Sequence, residues 1–298
     1  METAAGQGFR KAEFQSSLPG KAVRCGLCPR RCTIAEGKSG YCGVRRNEGG
    51  ILRSLAYGHP VALQIDPIEK KPLCQFLPGS RTYSIGTFGC NLGCLFCQNS
   101  ELSRGEYDPG DLGEEVKPEW LAADAVRNGC ESIAFTYNEP TVFAEYALEI
   151  AQCAHRAGLK TVLVSNGFIT PEAAETLYPE IDAANFDMKG FSETFYKELC
   201  GGSLEPVLEA FRIFRRHGGH AEYTTLILPG KNDSLEMTDA WLDWVETHLD
   251  REVPLHFTAY HPAYRYHASP PTPPALLRTI REHAIRRGFP NIYLGNIR

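Results

Sequence analysis

The sequence predicts an α/β protein: a series of β/α units preceded by a small cysteine-rich, metal-binding module. Three observations carry this. From residue 82 onward, short β-branched apolar runs alternate with segments of helical period. Thr161-Val162-Leu163-Val164 is apolar without a break, as in a parallel strand buried on both faces. Cys25, Cys28, Cys32 and Cys42 crowd a stretch with no amphipathic period, where a bound metal is a source of folding energy. Six β/α units in series suit an open, partial (β/α)6 barrel, and pattern alone equally allows a doubly wound sheet.

The elements follow in order. Residues 1–20 are small, polar and glycine-containing, and read as a disordered tail without the apolar core of a secretory signal. Residues 21–50 form a four-cysteine knuckle with the spacing C-x2-C-x3-C-x9-C; glycines and Pro29 allow the tight turns that bring the sulfurs together. Four thiolates fill a tetrahedral zinc ion and equally a closed 4Fe–4S cluster, and both stay open here. Arg30, Arg31, Arg45 and Arg46 beside it read as a solvated face. Residues 51–81 carry Pro60, Pro67, Pro72 and Pro78 and read as an extended wrap. Residues 82–298 form the β/α body. Its strands are expected at Tyr83–Phe88, Ser132–Thr136, Lys160–Ser165, Ala183–Lys189, Ala221–Leu228 and Leu255–Tyr260, with a short last one at Asn291–Gly295. Its helices are expected at Pro118–Asn128, Thr141–Ala157, Pro171–Tyr178, Glu205–His217, Ser234–Leu249 and Pro273–Arg287. In the second helix Val142, Phe143, Tyr146, Ala147, Ile150 and Ala154 make one apolar stripe.

Composition narrows the function. A net charge of −5 gives no general attraction to nucleic acid, and no apolar stretch is long enough to span a bilayer. Eleven cysteines without a secretory signal argue for a reducing cytoplasm, where clustered thiols serve as metal ligands or catalytic groups. Cys130 and Cys153 lie in or beside helices and read as small buried hydrophobes. Cys200, before Gly201-Gly202, suits a helix end at a glycine stop.

The most telling segment is Gly89-Cys90-Asn91-Leu92-Gly93-Cys94-Leu95-Phe96-Cys97, a C-x3-C-x2-C triplet directly after a strand. A cubane 4Fe–4S cluster wants a thiolate on each iron. Three cysteines leave one iron open to a substrate or cofactor. Structural zinc sites instead use four ligands in paired knuckles, and no fourth cysteine or histidine lies in this loop. Polar residues also recur where strands end, which is where β/α barrels carry their chemistry: Thr136-Tyr137-Asn138-Glu139-Pro140, Ser165-Asn166-Gly167-Phe168, Asp187-Met188-Lys189-Gly190, Leu228-Pro229-Gly230-Lys231-Asn232-Asp233 and Tyr260-His261-Pro262.

The triplet, with Phe96 before its third cysteine, resembles the radical S-adenosylmethionine (SAM) superfamily. Tyr137-Asn138-Glu139-Pro140 is similar to that superfamily's Gly-Gly-Glu-Pro element, with Tyr137 and Asn138 in place of the glycines; the resemblance implies that Asn138 and Glu139 hold the SAM amino group. Ser165 and Asn166 resemble the element that reaches the ribose. Asp187 and Lys189 resemble the D-x-K pair of glycyl-radical-activating enzymes, with the lysine on the SAM carboxylate. From Cys25 onward the chain resembles the radical SAM protein of the AmmeMemoRadiSam system, related to pyruvate formate-lyase activating enzyme. The resemblance implies a partial (β/α)6 barrel, a 4Fe–4S cluster on Cys90, Cys94 and Cys97, and SAM as cofactor. It implies reductive cleavage of SAM to methionine and a 5′-deoxyadenosyl radical that takes hydrogen from a substrate. It also implies a flavodoxin- or ferredoxin-like reductant and Memo-like and AMMECR-like partners. Activation of a glycyl-radical enzyme is a narrower reading, and an iron–sulfur scaffold or electron carrier is the non-catalytic one.

Overall fold

The computed structural model describes residues 9–105, 107, 110 and 112–297. Its body is an eight-stranded sheet in the order β14-β13-β12-β11-β10-β9-β8-β7. The strands are β7 (Ala62–Pro67), β8 (Arg81–Gly86), β9 (Ser132–Phe135), β10 (Lys160–Ser165), β11 (Ala183–Asp187), β12 (His220–Ile227), β13 (Leu255–Ala259) and β14 (Ile292–Gly295). From β8 to β14 every neighbour is parallel and sequential. Each crossover carries a helix: α2 (Pro118–Arg127), α3 (Ala144–Arg156), α4 (Pro171–Leu177), α6 (Glu205–His217), α7 (Leu235–His248) and α8 (Pro274–Arg286). This sequential order is the winding of a partial barrel; a doubly wound sheet would reverse its strand order at a switch point. The apolar stripe of α3 and the turn before it is fully inside, with Val142, Phe143, Tyr146, Ala147, Ile150 and Ala154 all buried. Cys130 and Cys153 are buried as expected.

Two expectations are corrected. Residues 9–20 are not a disordered tail: β1 (Arg10–Lys11) pairs with β6 (Ile51–Ser54), and β2 (Gln15–Ser17) pairs with β3 (Val23–Cys25). Between them Ala12 is buried and donates its N–H to the Leu52 carbonyl at 2.8 Å. Two- and three-residue strands are too short to show a period, and the partner of β1 is remote in sequence. Residues 1–8 of the expected tail lie outside the described residues. The stretch 51–81 is likewise more than a wrap. It supplies β6 and then β7, which pairs antiparallel with β8, Asp66 opposite Thr82. In β7 the buried residue is Asp66, whereas Ile65 is 42% exposed, so the usual alternation marks the wrong face. The β/α body therefore begins at residue 62, with an added edge strand. Two further three-stranded antiparallel sheets, β1-β6-β5 and β2-β3-β4, build the cysteine-rich module, with β4 at Thr33–Ile34 and β5 at Arg45–Glu48.

Candidate metal centre and its cleft

The loop after β8 carries the cysteine triplet, and neighbouring elements hold it on several sides. Asn138, buried, accepts the Thr87 N–H at 2.9 Å and donates to Thr87 Oγ1 and the Gly89 carbonyl, both at 3.0 Å. Asn91 is fully buried; it donates to the Phe168 carbonyl at 2.6 Å and accepts from Asn166 Nδ2 at 3.0 Å. Arg104, at the end of α1 (Ser100–Arg104), donates to the Cys90 carbonyl at 2.9 Å. A one-turn α5 (Glu193–Phe195) continues as a π-helical turn, Tyr196–Cys200, whose Leu199 and Cys200 carbonyls accept the N–H groups of Leu95 and Gly93 at 2.9 and 2.8 Å. That turn ends at Gly201 with φ +64°, the expected glycine stop. Gly89 has φ +82°, and a Cβ there would lie 2.5 Å from the Cys42 carbonyl oxygen, so glycine is required.

Cys90, Cys94 and Cys97 all line one cleft of about 420 Å³ at the carboxyl ends of the strands, within the usual size range of small-molecule sites. Phe96, Asn138, Glu139, Asn166, Asp187 and Lys189 line it too, so six of the seven residues expected around the cofactor meet in one place. Ser165 stands behind this wall: its hydroxyl donates to Glu139 Oε1 at 2.8 Å. Glu139 also accepts from the Thr141 N–H and hydroxyl at 2.9 and 2.7 Å and from the Asn166 N–H at 2.8 Å. Burial pushes its carboxyl above the ordinary carboxylate range, and these donors oppose that. Glu139 thus ties the ends of β9 and β10 together at the cleft wall. Lys189 Nζ lies 2.8 Å from Asp187 Oδ2. Burial works against its charge, but Asp187 and the nearby Cys94 raise its pKa, so it is a cation facing the thiols.

Cys200 is fully buried behind Cys94, hydrogen-bonded to it, and does not line the cleft. Burial pushes the Cys90 thiol up; metal binding there releases the proton. The three cleft-facing sulfurs, a cation beside them and room for a nucleoside-sized ligand fit an open iron–sulfur cluster with SAM.

Sequence reasoning missed the opposite rim. Tyr137 has φ +72°, the conformation that explains a glycine at this point in the related motif. Its hydroxyl donates to Asp66 Oδ2 at 2.6 Å. Asp66 also accepts from Lys71 at 2.7 Å, Lys70 at 2.8 Å and Ser84 at 2.8 Å. Burial works against the Asp66 charge, yet these donors hold its carboxyl well below the usual range. Lys70, Lys71, Tyr137, Thr224, Thr258 and Asn296 all line the cleft. The only local signal was two acidic residues, Asp66 and Glu69, and two lysines within six positions.

The four-cysteine knuckle packs directly against this loop. Cys25, Cys28, Cys32 and Cys42 line one small cavity with Arg30, Arg45 and Asn91. Burial pushes the Cys28 thiol up to about 12. The arginines are not one solvated face. Arg45 is 1% exposed, its Nη1 2.7 Å from both oxygens of Glu145. Arg30 lies 3.4 Å over the Tyr41 ring and donates to the Asn91 and Gly201 carbonyls. At the other end of the sheet Glu222 accepts the N–H groups of Cys74 and Gln75 and contacts His220 and His256. Among the described residues, no helix is long and apolar enough to cross a membrane.

Comparison with known proteins agrees with this geometry. The uncharacterized protein MJ0808 of Methanocaldococcus jannaschii is 39% identical over 290 residues, covering 97% of this chain and 86% of that protein. SuiB of Streptococcus suis bound to S-adenosylmethionine has a TM-score of 0.56 at 17% identity, covering 71% of this chain and 49% of that one. A radical SAM methyltransferase from Sphaerobacter thermophilus has a TM-score of 0.56 at 14% identity, covering 74% and 68%. These two likenesses are of fold. The family profile described as the Radical SAM superfamily matches residues 84–242, the span from the triplet's strand into α7, and the chain belongs to that superfamily.

Proposed function

We propose that this protein is a radical SAM enzyme of the AmmeMemoRadiSam type, acting in a reducing cytoplasm with Memo-like and AMMECR-like partners and a flavodoxin- or ferredoxin-like reductant. The observation that carries the enzymatic reading is the convergence of three sulfurs, and not Cys200, on a cleft walled by strand ends. Cys90, Cys94 and Cys97 hold a 4Fe–4S cluster in this reading. When bound, that cluster and SAM supply one-electron cleavage to methionine and a 5′-deoxyadenosyl radical. The chain's residues position and shield the reactants. Lys189 offers a buried ammonium to the SAM carboxylate, a charge-assisted contact of the strong kind. Glu139 and Asn138 hold the strand ends and the cysteine loop in register. Tyr137, Phe96 and the Asp66 network narrow the cleft and exclude water.

The test is anaerobic reconstitution, addition of dithionite and SAM, and assay for 5′-deoxyadenosine. Product formation is expected. A protein loaded with about four irons at the triplet that forms none, with candidate partners present, would favour the scaffold or electron-carrier reading. The Asp187–Lys189 ion pair at 2.8 Å favours one narrower reading, activation of a glycyl-radical enzyme. Its check is a glycyl signal by electron paramagnetic resonance on an added partner.

A further inference from the structure

We propose that Cys25, Cys28, Cys32 and Cys42 bind a second 4Fe–4S cluster rather than zinc. All four line one small cavity. Zinc holds sulfur at about 2.3 Å, which places four thiolates about 3.8 Å apart. As a set, the sulfurs here do not close to that spacing. Among the described residues, only Cys74, Glu222 and His256 bring three ligand atoms within 4.8 Å of one another; no three sulfurs of the knuckle do. The triplet Cys90, Cys94 and Cys97 likewise does not close to within 4.8 Å as a set. A cubane requires wider spacing, because four irons and four sulfides lie between the thiolates. The knuckle sulfurs nonetheless share one centre, since all four cysteines line the same small cavity.

A second observation is independent of spacing. Arg45 lines this cavity and is 1% exposed, yet its Nε has no hydrogen-bond partner. Its Nη1 and Nη2 are committed to Glu145 and to the Glu13 carbonyl. A buried donor without a partner is costly, and a sulfur-rich cluster supplies acceptors. Donors of this kind also set a cluster's potential. Placement points the same way. Asn91, between Cys90 and Cys94, lines the knuckle cavity, and Cys42 touches Gly89. A cluster here is separated from the triplet by one layer of chain, which suits a one-electron carrier.

The test counts metal and reads spectra, with no SAM chemistry involved. The wild-type protein, reconstituted anaerobically with iron and sulfide, is expected to hold about eight irons and no zinc. The Cys90→Ser/Cys94→Ser/Cys97→Ser variant is expected to keep about four irons and, once reduced, a 4Fe–4S resonance. Cys25→Ser/Cys28→Ser is expected to lose that second resonance while the first remains. Wild-type protein with about four irons and one zinc would overturn the proposal. So would about six irons, the count of a 2Fe–2S knuckle. These wild-type counts decide the matter if either variant fails to fold. Failure here leaves the triplet's own iron, and so the proposed enzyme class, untouched.

Discussion

Tyr137 has a backbone conformation that costs a residue with a side chain roughly 1–2 kcal/mol, and it stays because its hydroxyl reaches Asp66. The carboxylate holds more than Tyr137. Lys71 is 2% exposed and lies 4.6 Å from the Tyr137 ring centroid, so Asp66 is its counterion in a nearly dry place. Removing one partner of a buried ion pair strands the other. Asp66→Asn is therefore expected to destabilise by about 3–5 kcal/mol, read as a lower denaturant midpoint, and adding Lys71→Met should recover part of the loss. A double variant no more stable than the single one would show that Lys71 is not the stranded charge. The pH dependence has a definite sign. The folded Asp66 carboxyl is depressed, so its stabilisation is full above the unfolded pKa of about 3.9 and is lost as pH falls through the folded value. Lys189 carries the other residue-level prediction. Lys189→Met should weaken SAM binding about tenfold or more, the loss of one charge-assisted contact. Equilibrium dialysis on the reconstituted protein checks this, and unchanged affinity would remove Lys189 from the SAM site.

The cysteine loop succeeds as an element only because other elements leave it no slack. Gly89 is its tightest point. Gly89→Ala would place a Cβ 2.5 Å from the Cys42 carbonyl oxygen and 2.7 Å from Val44 at a positive φ. The knuckle must then shift, and iron retention at the triplet should fall. Full iron content at the triplet in this variant would show the packing between loop and knuckle to be soft. Residues that act through their neighbours in sequence were legible without a structure. The triplet, the strand-end pairs Asn138–Glu139 and Asp187–Lys189, and the helices with clear stripes all carry their signal within a few positions. Asp66 was not legible, because its meaning comes from pairing opposite Thr82 and reaching Ser84, Tyr137 and Lys71. Strands β1 and β2 were hidden because their few side chains show no alternation, and the partner of β1 lies some forty residues away.

Across the whole molecule the sheet has two unlike ends. Its carboxyl end opens into the cleft. Its amino end is closed by residues 72–76, and the latch is Glu222, fully buried on β12. Both carboxylate oxygens are in use, with the N–H groups of Cys74 and Gln75 at 3.0 and 2.8 Å and His256 and His220 at 2.6 and 3.0 Å. Burial works against the charge, but these partners depress the pKa. Asn185 donates to the Pro72 carbonyl at 2.8 Å and fastens the same segment from β11. Because every ligand atom of Glu222 is already partnered, its cluster with Cys74 and His256 reads as this latch. Glu222→Gln keeps the shape but turns an amide NH2 toward donors that need an acceptor. The expected cost is about 2–4 kcal/mol, a fall in Tm on the order of 3–6 °C at matched scan rate. Affinity for SAM should stay within about twofold, since cleft residues on the same strands, Thr224, Leu226 and Thr258, lie farther toward the carboxyl end. Calorimetry and dialysis on one preparation read both quantities. A lower Tm with intact affinity identifies a structural latch. A loss of affinity at unchanged Tm would mean that residues 72–76, whose neighbours Lys70 and Lys71 line the cleft, transmit the state of the closed end to the open one.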